Sequence, residues 1–234
     1  MALIKKGVTG MKDILPEEMI IRDYLINIIK KTYGSFGFTS IETPAMEHIE
    51  NLLSKQGGDN EKLIFKVLKR GEKLKLDDIK DENDLVDAGL RYDLTLPLAR
   101  YYSNNQASLP NPFKALQIGN VYRADRPQKG RFRQFTQCDI DILGEASNLA
   151  EIELILATTK ALSEIAKGKK FTVRINDRRI LLAMALYAGY SDDNISNVFI
   201  ILDKMDKIGL DGVRKELTEL DGEEKCEKYL ALFD

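Results

Sequence analysis

The sequence predicts an α+β fold in which a mainly antiparallel sheet is flanked by helices. Its strand-like segments follow one another mostly as hairpins, while the helical segments stand apart from them. A doubly wound fold would alternate strand and helix and would place a glycine-rich loop after a strand. The chain contains neither GxGxxG nor GxxxxGK(S/T), which disfavours a Rossmann or P-loop nucleotide site.

The first predicted elements are a long helix and a short strand. Residues 16–34 are predicted to be helical because Pro16 suits a first helical position and apolar residues recur at helical spacing. These apolar residues are Tyr24, Leu25, Ile28, Ile29 and Tyr33. Residues 38–44 are strand-like, and Pro44 ends the strand because proline has no N–H to donate to a ladder.

Strands and turns make up the middle of the chain. Residues 63–76 predict a hairpin that turns near Arg70 and Gly71, and residues 88–104 predict a strand that breaks into a helix near Thr95. The remaining predicted elements are strands at 112–125, 131–144 and 170–177, a helix at 149–167, and helices throughout 178–234.

The composition excludes several classes of protein. The 234 residues carry a net charge of −2, which excludes a globally basic nucleic-acid coat but permits a local basic patch. His48 is the single histidine, so a histidine-based triad or metal site is disfavoured. Cys138 and Cys226 lie far apart without CxxC spacing, which argues against a disulfide framework or a zinc site. Because no apolar run reaches about 18 residues, we expect a soluble, cytoplasmic protein with no membrane partner.

Positive charge is concentrated in one stretch, YRADRPQKGRFRQFTQCDIDILG, at residues 122–144. Four arginines and Lys129 lie between its two strand-like parts. Side chains alternate between the two faces of a strand. On one face of 131–143 this alternation gives cations, then an aromatic ring, an amide and carboxylates. That graded face consists of Arg131, Arg133, Phe135, Gln137, Asp139, Asp141 and Leu143.

The graded face has two interpretations. In the first it faces solvent, as one side of many antiparallel sheets does. In the second it binds a ligand, because arginines bind phosphate, an aromatic ring stacks on a base, and carboxylates hold an ammonium group or a ring N–H. ATP beside an amino acid is such a ligand pair. The opposite face becomes apolar at Ile140 and Ile142, which fits a helix packed behind the sheet.

Asp93 and Thr95 form a second polar pair in the segment LRYDLTLP. If the strand persists that far, both side chains point the same way. Asp and Thr also cap helices and initiate turns, so a capping role is the other interpretation. The convergence of Asp93, Gln137 and Asp141 on one ammonium group would favour a binding site over a cap.

Three motifs resemble those of class II aminoacyl-tRNA synthetases in the form found in histidyl-tRNA synthetases. FKALQIGNVYRADRPQKGRFRQFTQCDIDILG resembles motif 2 of this family, and LRYDLTLPLARY resembles its amino-acid-binding strand and turn. GFTSIETPAMEH, which contains Pro44, resembles motif 1, and the opening GVTGMKDILPEE also fits. The resemblance extends from about residue 7 to residue 177 and becomes weaker over 178–234.

For the nucleotide, the resemblance implies that Arg123 binds the α-phosphate of ATP together with a carboxylate oxygen of the amino acid. It implies that Arg131 meets the terminal phosphates and that Phe135 stacks on adenine. Asp125 stands where the family often has glutamate, so it is a weaker candidate for the adenine amino group. Mg²⁺ would accompany ATP, with no metal site built by the protein alone.

For the amino acid, the resemblance implies that Gln137 and Asp93 hold the α-amino group of histidine, with Thr95 beside them. Asp141 would receive the imidazole, and Arg123 would contact the carboxylate. The loop residues Gln128 and Lys129 would approach the acceptor end of tRNA(His). Motif 1, around Pro44, implies a homodimer.

The activity implied by the resemblance is ATP-dependent activation of histidine to histidyl-adenylate, followed by transfer to tRNA(His). The alternative is the histidine-sensing regulatory subunit of ATP phosphoribosyltransferase, which shares this fold. Arginines at both 123 and 131 favour the ligase.

The domain organisation expected from the resemblance is a partial catalytic core over 1–177, with motifs 1 and 2 only, and the start of a helical insertion over 178–234. No segment of the RGLDYY type and no motif 3 arginine is found in these 234 residues. We therefore expect a truncated fragment that is inactive alone.

Overall fold

The computed structural model describes residues 3–53, 59–75, 77 and 79–233. The chain folds into two compact units, Met1–Lys170 and Phe171–Asp234. The structure thus divides the chain after Lys170, and the domain roles predicted for 1–177 and 178–234 stay predictions.

The first unit contains six strands and four α-helices within its described residues. They are α1 (Pro16–Ser35), β1 (Thr39–Ile41), β2 (Met46–His48), α2 (Ile49–Leu52), β3 (Lys66–Leu68), β4 (Val86–Leu90), α3 (Thr95–Asn105), β5 (Phe113–Tyr122), β6 (Gln134–Leu143) and α4 (Leu149–Ala166). Short 3₁₀ turns occur at Asp59–Leu63, Gly71–Lys73, Glu82–Leu85 and Gln106–Ser108.

The strands form two three-stranded sheets, ordered β1-β5-β6 and β2-β4-β3. β1 runs parallel to β5, and every other pairing is antiparallel. β5 and β6 form the longest ladder, from Phe113 opposite Leu143 to Tyr122 opposite Gln134. The predicted α+β class with mainly antiparallel pairing is therefore confirmed.

One face of the β1-β5-β6 sheet is covered by α1 and α4. Tyr33 of α1 and Ala157 and Ala161 of α4 are buried in one apolar cluster, and Ile140 and Ile142 of β6 pack against it. The small alanines let the helix approach the sheet closely, and burial of this apolar surface stabilises the layer. The predicted helix behind Ile140 and Ile142 is thus confirmed.

The hairpin predicted over 63–76 is wrong. β3 pairs antiparallel with β4, and Gly71–Lys73 forms a 3₁₀ turn instead of starting a returning strand. Pairing with the distant β4 buries Ile64 and Val86 in one cluster, a gain that local turn signals do not reveal. Leu76, at the end of the predicted hairpin, lies outside the described residues.

The strand predicted over 170–177 is also wrong, because residues 171–177 have no regular secondary structure. The alternating apolar side chains Phe171, Val173 and Ile175 are exposed. A strand needs a neighbour for its ladder hydrogen bonds, and none of the described strands pairs with this segment.

The second unit is helical, as predicted. Its helices are α5 (Arg178–Ala188), α6 (Asp192–Leu202), α7 (Met205–Asp221) and α8 (Glu223–Leu230). Val198, Val213, Leu217 and Tyr229 are fully buried in its core. Gly209 divides α7, because its φ of 68° is not helical. None of the described helices of the chain is both long and apolar enough to cross a membrane.

Candidate functional site

The loop that joins β5 to β6 is fastened at its base and at its tip. The N–H of Arg123 donates to the carbonyl of Arg133 at 2.8 Å, and the N–H of Arg133 donates to Gly10 at 2.7 Å. At the tip, Gln128 and Arg131 exchange backbone hydrogen bonds of 3.2 and 2.9 Å. β6 therefore begins at Gln134, and Arg131 lies in a tight turn rather than on the strand where the sequence placed it.

Arg133 supports this loop. Its Nε donates to the carbonyl of Asp125 across the loop at 3.0 Å. Gly10, with φ at +82°, packs so closely that a Cβ there would lie 2.8 Å from Pro127 Cγ and from Arg133 Cγ. The segment around Gly10 therefore packs against both Pro127 of the loop and Arg133, and it supports the loop.

A cleft of about 420 Å³ opens beside the loop, lined by Leu63, Arg123, Asp125, Gly130, Arg131, Phe132 and Phe135. Arg123 is fixed in it from two sides. Its Nε donates to the carbonyl of Tyr92 at 3.0 Å, and its Cζ lies 5.3 Å from the centroid of the Phe135 ring. Neither η nitrogen of Arg123 forms a hydrogen bond to a described residue, so both can bind an anion.

The second cation of the cleft is held more loosely. Arg131 Nη1 lies 3.9 Å from Asp125 Oδ1, and the Arg131 side chain is 60% exposed. An exposed pair at this distance contributes little free energy, about 0–1 kcal/mol. Arg131 can therefore turn from Asp125 towards a bound phosphate at small cost.

Next to the cleft, β6 carries a cluster of polar side chains, which we call the acidic pocket. Gln137, Asp139 and Asp141 share the face of β6 that includes Phe135. Gln137 Oε1 and Asp141 Oδ2 are buried and accept no hydrogen bond from the described residues. Because buried polar atoms are costly when they lack a partner, this pocket favours a ligand that brings hydrogen-bond donors.

The electrostatics of the pocket also favour a cation. Burial, and then the charges of Asp141 and Asp93, raise the pKa of Asp139, while Arg123 acts in the opposite direction. Burial and then Asp93 raise the pKa of Asp141. An ammonium or imidazolium group placed among these carboxylates would favour their charged forms and so counteract the rise in both pKa values.

Asp93 and Thr95 are not on one strand, because β4 ends at Leu90. Asp93 Oδ1 accepts a hydrogen bond from the N–H of Leu96 at 3.1 Å, in the first turn of α3, which favours the capping interpretation although Leu94 is the N-cap residue of that helix. Thr95 is the first residue of α3 and is exposed. The charge of Asp93 nonetheless reaches the pocket, since it raises the pKa of Asp139 and Asp141.

The other predicted site residues lie away from this pocket. Gln128 and Lys129 are exposed at the loop tip, and Pro44 is exposed between β1 and β2. Within the described residues, no group of three or more His, Cys, Asp or Glu side chains is arranged to hold a metal ion.

The sequence reasoning missed the residues beneath the site. Arg91, Thr43 and Gln117 are polar but buried, and they lie under the segment that carries Asp93. A signal existed for Gln117, which is a lone amide in the apolar strand segment FKALQIG.

Comparison with known proteins gives matches to a family profile and to curated relatives. Residues 10–231 match the family profile described as histidyl-tRNA synthetase. The chain is 49% identical over 216 residues to the histidine–tRNA ligase of Leifsonia xyli subsp. xyli, which covers 90% of this chain and 49% of that protein. The chain spans about half the length of the curated relatives it matches.

Two solved structures share the fold. The histidyl-tRNA synthetase from Nostoc sp. PCC 7120 matches with a TM-score of 0.78 and 29% identity, over 98% of this chain and 48% of that one. A protein from Bacillus halodurans C, described as an ATP phosphoribosyltransferase regulatory subunit/histidyl-tRNA synthetase, also gives a TM-score of 0.78. Its identity is 21%, over 100% of this chain and 56% of that one, so it shows likeness of fold alone.

Proposed function

This chain belongs to the histidyl-tRNA synthetase family, and we propose that its first unit binds ATP and histidine for the reaction of a histidine–tRNA ligase. In that reaction histidine and ATP give histidyl-adenylate and pyrophosphate, and the histidyl group is then transferred to tRNA(His). The observation that carries the proposal is the position of Arg123, which borders both the cationic cleft and the acidic pocket.

ATP would lie in the cationic cleft. Arg123, with its η nitrogens directed to no described partner, would bind the α-phosphate, and Arg131 would turn to the terminal phosphates. Phe135 already carries a guanidinium near one face, and its ring would stack on adenine. Asp125 lines the same cleft and would lie near the adenine amino group.

Mg²⁺ fits this site as an ion carried by the nucleotide. The cleft offers one carboxylate, Asp125, beside two arginines, so most oxygen ligands would come from the phosphates. When bound, the ion would neutralise negative charge on the departing pyrophosphate.

Histidine would occupy the acidic pocket. Its α-ammonium group would meet Gln137 and Asp93, with Thr95 at the edge, and its imidazole would meet Asp141. This arrangement supplies donors to Gln137 Oε1 and Asp141 Oδ2, which lack them among the described residues. A pocket that depends on hydrogen bonds rejects ligands that cannot form them.

The chemistry then requires orientation and charge stabilisation rather than a protein acid or base. The carboxylate of histidine attacks the α-phosphorus in line, the bond to the bridging oxygen breaks, and pyrophosphate leaves with its electron pair. Arg123 would contact both the attacking carboxylate and the α-phosphate, and its contacts would strengthen as negative charge develops.

Two macromolecular contacts belong to the proposal. The exposed Gln128 and Lys129 at the loop tip would approach the acceptor end of tRNA(His). A second copy of the chain would pack on the region of motif 1 around Pro44, and the exposed Ile20 and Ile21 of α1 support such a contact.

The alternative is a histidine-sensing subunit, which would bind histidine without activating it. The cleft with two arginines favours the ligase, because a sensor of histidine needs no phosphate-binding side chains. The test is histidine-dependent exchange of labelled pyrophosphate into ATP, measured on a full-length protein that contains this chain. Exchange with histidine and not with other amino acids is expected, whereas calorimetric histidine binding without exchange would select the sensor.

A further inference from the structure

Arg91 is a buried cation whose described hydrogen-bond acceptors are all uncharged, although the charge of Glu42 acts on it from further away. The residue is 6% exposed, and its Nη1 donates to the carbonyl and to Oγ1 of Thr43 and, at 3.4 Å, to the carbonyl of Pro44. Its Nε donates to the carbonyl of Asn120 at 2.9 Å. All of these acceptors in the described chain are uncharged oxygens, although a desolvated cation is usually paired with a carboxylate.

The acceptors come from separate parts of the first unit. Thr43 and Pro44 follow β1, Asn120 lies in β5, and Arg91 itself follows β4. The backbone of Arg91 adds two further connections, since its N–H donates to Ala45 at 2.9 Å and its carbonyl accepts from Tyr122 at 3.0 Å. One residue therefore joins the end of the β2-β4-β3 sheet to the β1-β5-β6 sheet.

Gly119 provides the space that Arg91 occupies. A Cβ at Gly119 would lie 2.4 Å from Arg91 Nη2 and 3.4 Å from its Cζ, which is closer than real Cβ contacts allow for the nitrogen. Gly119 is also the Cα partner of Gln137 across the β5–β6 ladder. The guanidinium of Arg91 thus packs on Gly119 of β5, which pairs with Gln137 of the acidic pocket on β6.

The same network continues beneath the segment that carries Asp93. Thr43 Oγ1 accepts from Arg91 and donates to Gln117 Oε1 at 3.3 Å, and Gln117 Nε2 donates to the carbonyl of Leu94 at 3.1 Å. Gln117 is 2% exposed, so this path is shielded from water. Buried networks in which each polar group has a partner hold a single geometry.

We propose that Arg91 is a positioning residue that holds residues 91–95 against β5, so that Asp93 and the carbonyl of Tyr92 stay aligned with Arg123. Its effect on catalysis rests on the proposed function, whereas its effect on local order does not. Tyr92 directly follows Arg91, and its carbonyl is the acceptor that fixes Arg123 Nε. A displacement of Arg91 would therefore reach both the cleft and the pocket.

Lysine cannot replace Arg91 in this role. The planar guanidinium directs Nε and Nη1 to acceptors on different segments at once, whereas an ammonium group is a point charge on a flexible stem. Arg91→Lys keeps the charge and removes the fork. Arg100→Lys is the matched control, because Arg100 Nε pairs with Glu47 at 2.6 Å, outside the proposed cleft and pocket.

The first arm of the test is amide hydrogen exchange on the purified protein without ligands. In Arg91→Lys we expect the amides of Leu96 and Tyr122, which donate to Asp93 and to the carbonyl of Arg91, to exchange about tenfold faster. Amides of α4 should be unchanged, and Arg100→Lys should leave the 92–96 segment as in the wild type. Uniform acceleration along the chain, or no change at 92–96, would overturn the proposal.

The second arm is steady-state pyrophosphate exchange with the enzyme that shows histidine-dependent activity. Arg91→Lys should raise KM for histidine and lower kcat, together by about 10- to 100-fold, the scale for a misplacement near 1 Å. KM for ATP should rise less than KM for histidine, because only the α-phosphate contact of Arg123 is displaced while Phe135 and Arg131 still bind the nucleotide. Equal changes in both KM values, or none, would overturn the positioning role.

Gly119→Ala tests the same contact with the arginine intact. The added methyl should displace the guanidinium and reproduce the kinetic pattern of Arg91→Lys, and the double variant should be no worse than the worse single one. Additive losses would show that the two residues act separately and would overturn the inference. A full-length wild-type protein without exchange activity would instead overturn the proposed function, and hydrogen exchange would then decide the role of Arg91 by itself.

Discussion

The guanidinium carbon of Arg123 lies 5.3 Å from the centroid of the Phe135 ring, while Nε of the same arginine donates to the carbonyl of Tyr92. Arg123 and Phe135 both line the cleft, and the ring limits the movement of the guanidinium. A charge held in place before the ligand arrives is the arrangement that stabilises a developing negative charge most effectively.

In a full-length protein that contains this chain, Arg123→Lys should lower kcat for pyrophosphate exchange by about 10- to 1000-fold, the range for losing one preorganised donor. The reason is geometric, because lysine keeps the charge but cannot donate to Tyr92 and to a phosphate through one rigid fork. Arg126→Lys, in the exposed part of the same loop, should remain within about twofold of the wild type. A near wild-type kcat for Arg123→Lys would show that Arg123 only supports the fold.

In the same full-length protein, Asp141→Ala should raise KM for histidine by about 10-fold or more and leave KM for ATP nearly unchanged. Asp141 Oδ2 is buried without a described partner, so its proposed imidazole contact would be lost while the cleft around Arg123 persists. Steady-state exchange with each substrate varied in turn measures both constants. Equal damage to the two would remove the imidazole assignment of Asp141.

Asp139→Asn should stabilise the ligand-free protein at neutral pH. Burial and the neighbouring carboxylates raise the folded-state pKa of Asp139 above its ordinary value of 3.8, so the folded state binds its proton more tightly than the unfolded state. Stability therefore falls as pH rises from that ordinary value through the raised one. The Tm gain of Asp139→Asn should reach its full size at pH values above the raised pKa and should vanish at pH values below the ordinary pKa of 3.8.

Glu145→Gln is the control of opposite sign for the same pH series. Hydrogen bonds with Ser147 lower the pKa of Glu145 in the folded state, so its contribution is present above the ordinary value and is lost as pH falls. Glu145→Gln should therefore not raise Tm at neutral pH. If both variants shift Tm in the same direction, the crowding of carboxylates around Asp139 is not the cause of the Tm gain of Asp139→Asn.

Gly89→Ala should destabilise the first unit by about 1–3 kcal/mol, the usual cost of overpacking a filled core. A Cβ at Gly89 would lie 2.5 Å from Leu52 Cδ1 and 3.0 Å from Ile64 Cγ2. Gly34→Ala in α1 meets open space and should instead stabilise by about 0.5–1 kcal/mol, because alanine favours the helix. Denaturant midpoints of the two variants should thus move in opposite directions.

The 234-residue chain studied by itself should be folded, should bind ATP or histidine feebly and should not form adenylate. Arg123 and Arg131 are the arginines of its cleft, and each further charge-stabilising donor that the family uses would lower the barrier by about 3–4 kcal/mol. Ground-state contacts from Phe135, Asp93 and Gln137 are retained. Pyrophosphate exchange beside calorimetric titration measures both properties, and robust exchange by this chain would contradict the expectation.

The sequence could predict β5, β6 and the helices because their signals are local. Alternation over 131–143 placed Gln137, Asp139 and Asp141 on one face, and the β5–β6 ladder bears this out from Gln134 onwards. The strand predicted at 170–177 has the same kind of alternation, yet it does not form. Period alone does not specify a partner strand, and the stability of a strand depends on one.

The supporting residues escaped prediction for a related reason. Nothing in the order of residues distinguishes Arg91, which is buried among neutral carbonyls, from Arg126, which is exposed. The difference arises from Gly119, which is distant in sequence and whose missing side chain makes the room. Contacts of this kind depend on the meeting of two sheets, and local periodicity carries no information about them.

The register of the β5–β6 ladder has a consequence for folding fidelity. A slip of one residue would exchange the two faces of β6, so that Asp139 and Asp141 would point at the apolar layer of α1 and α4 while Ile140 and Ile142 would line the pocket. Two carboxylates forced against Ala157 and Ala161 would be far costlier than the hydrogen bonds gained by any shifted ladder. Asp139 and Asp141, which we propose to bind a ligand, would therefore also penalise a misaligned hairpin before any substrate is present.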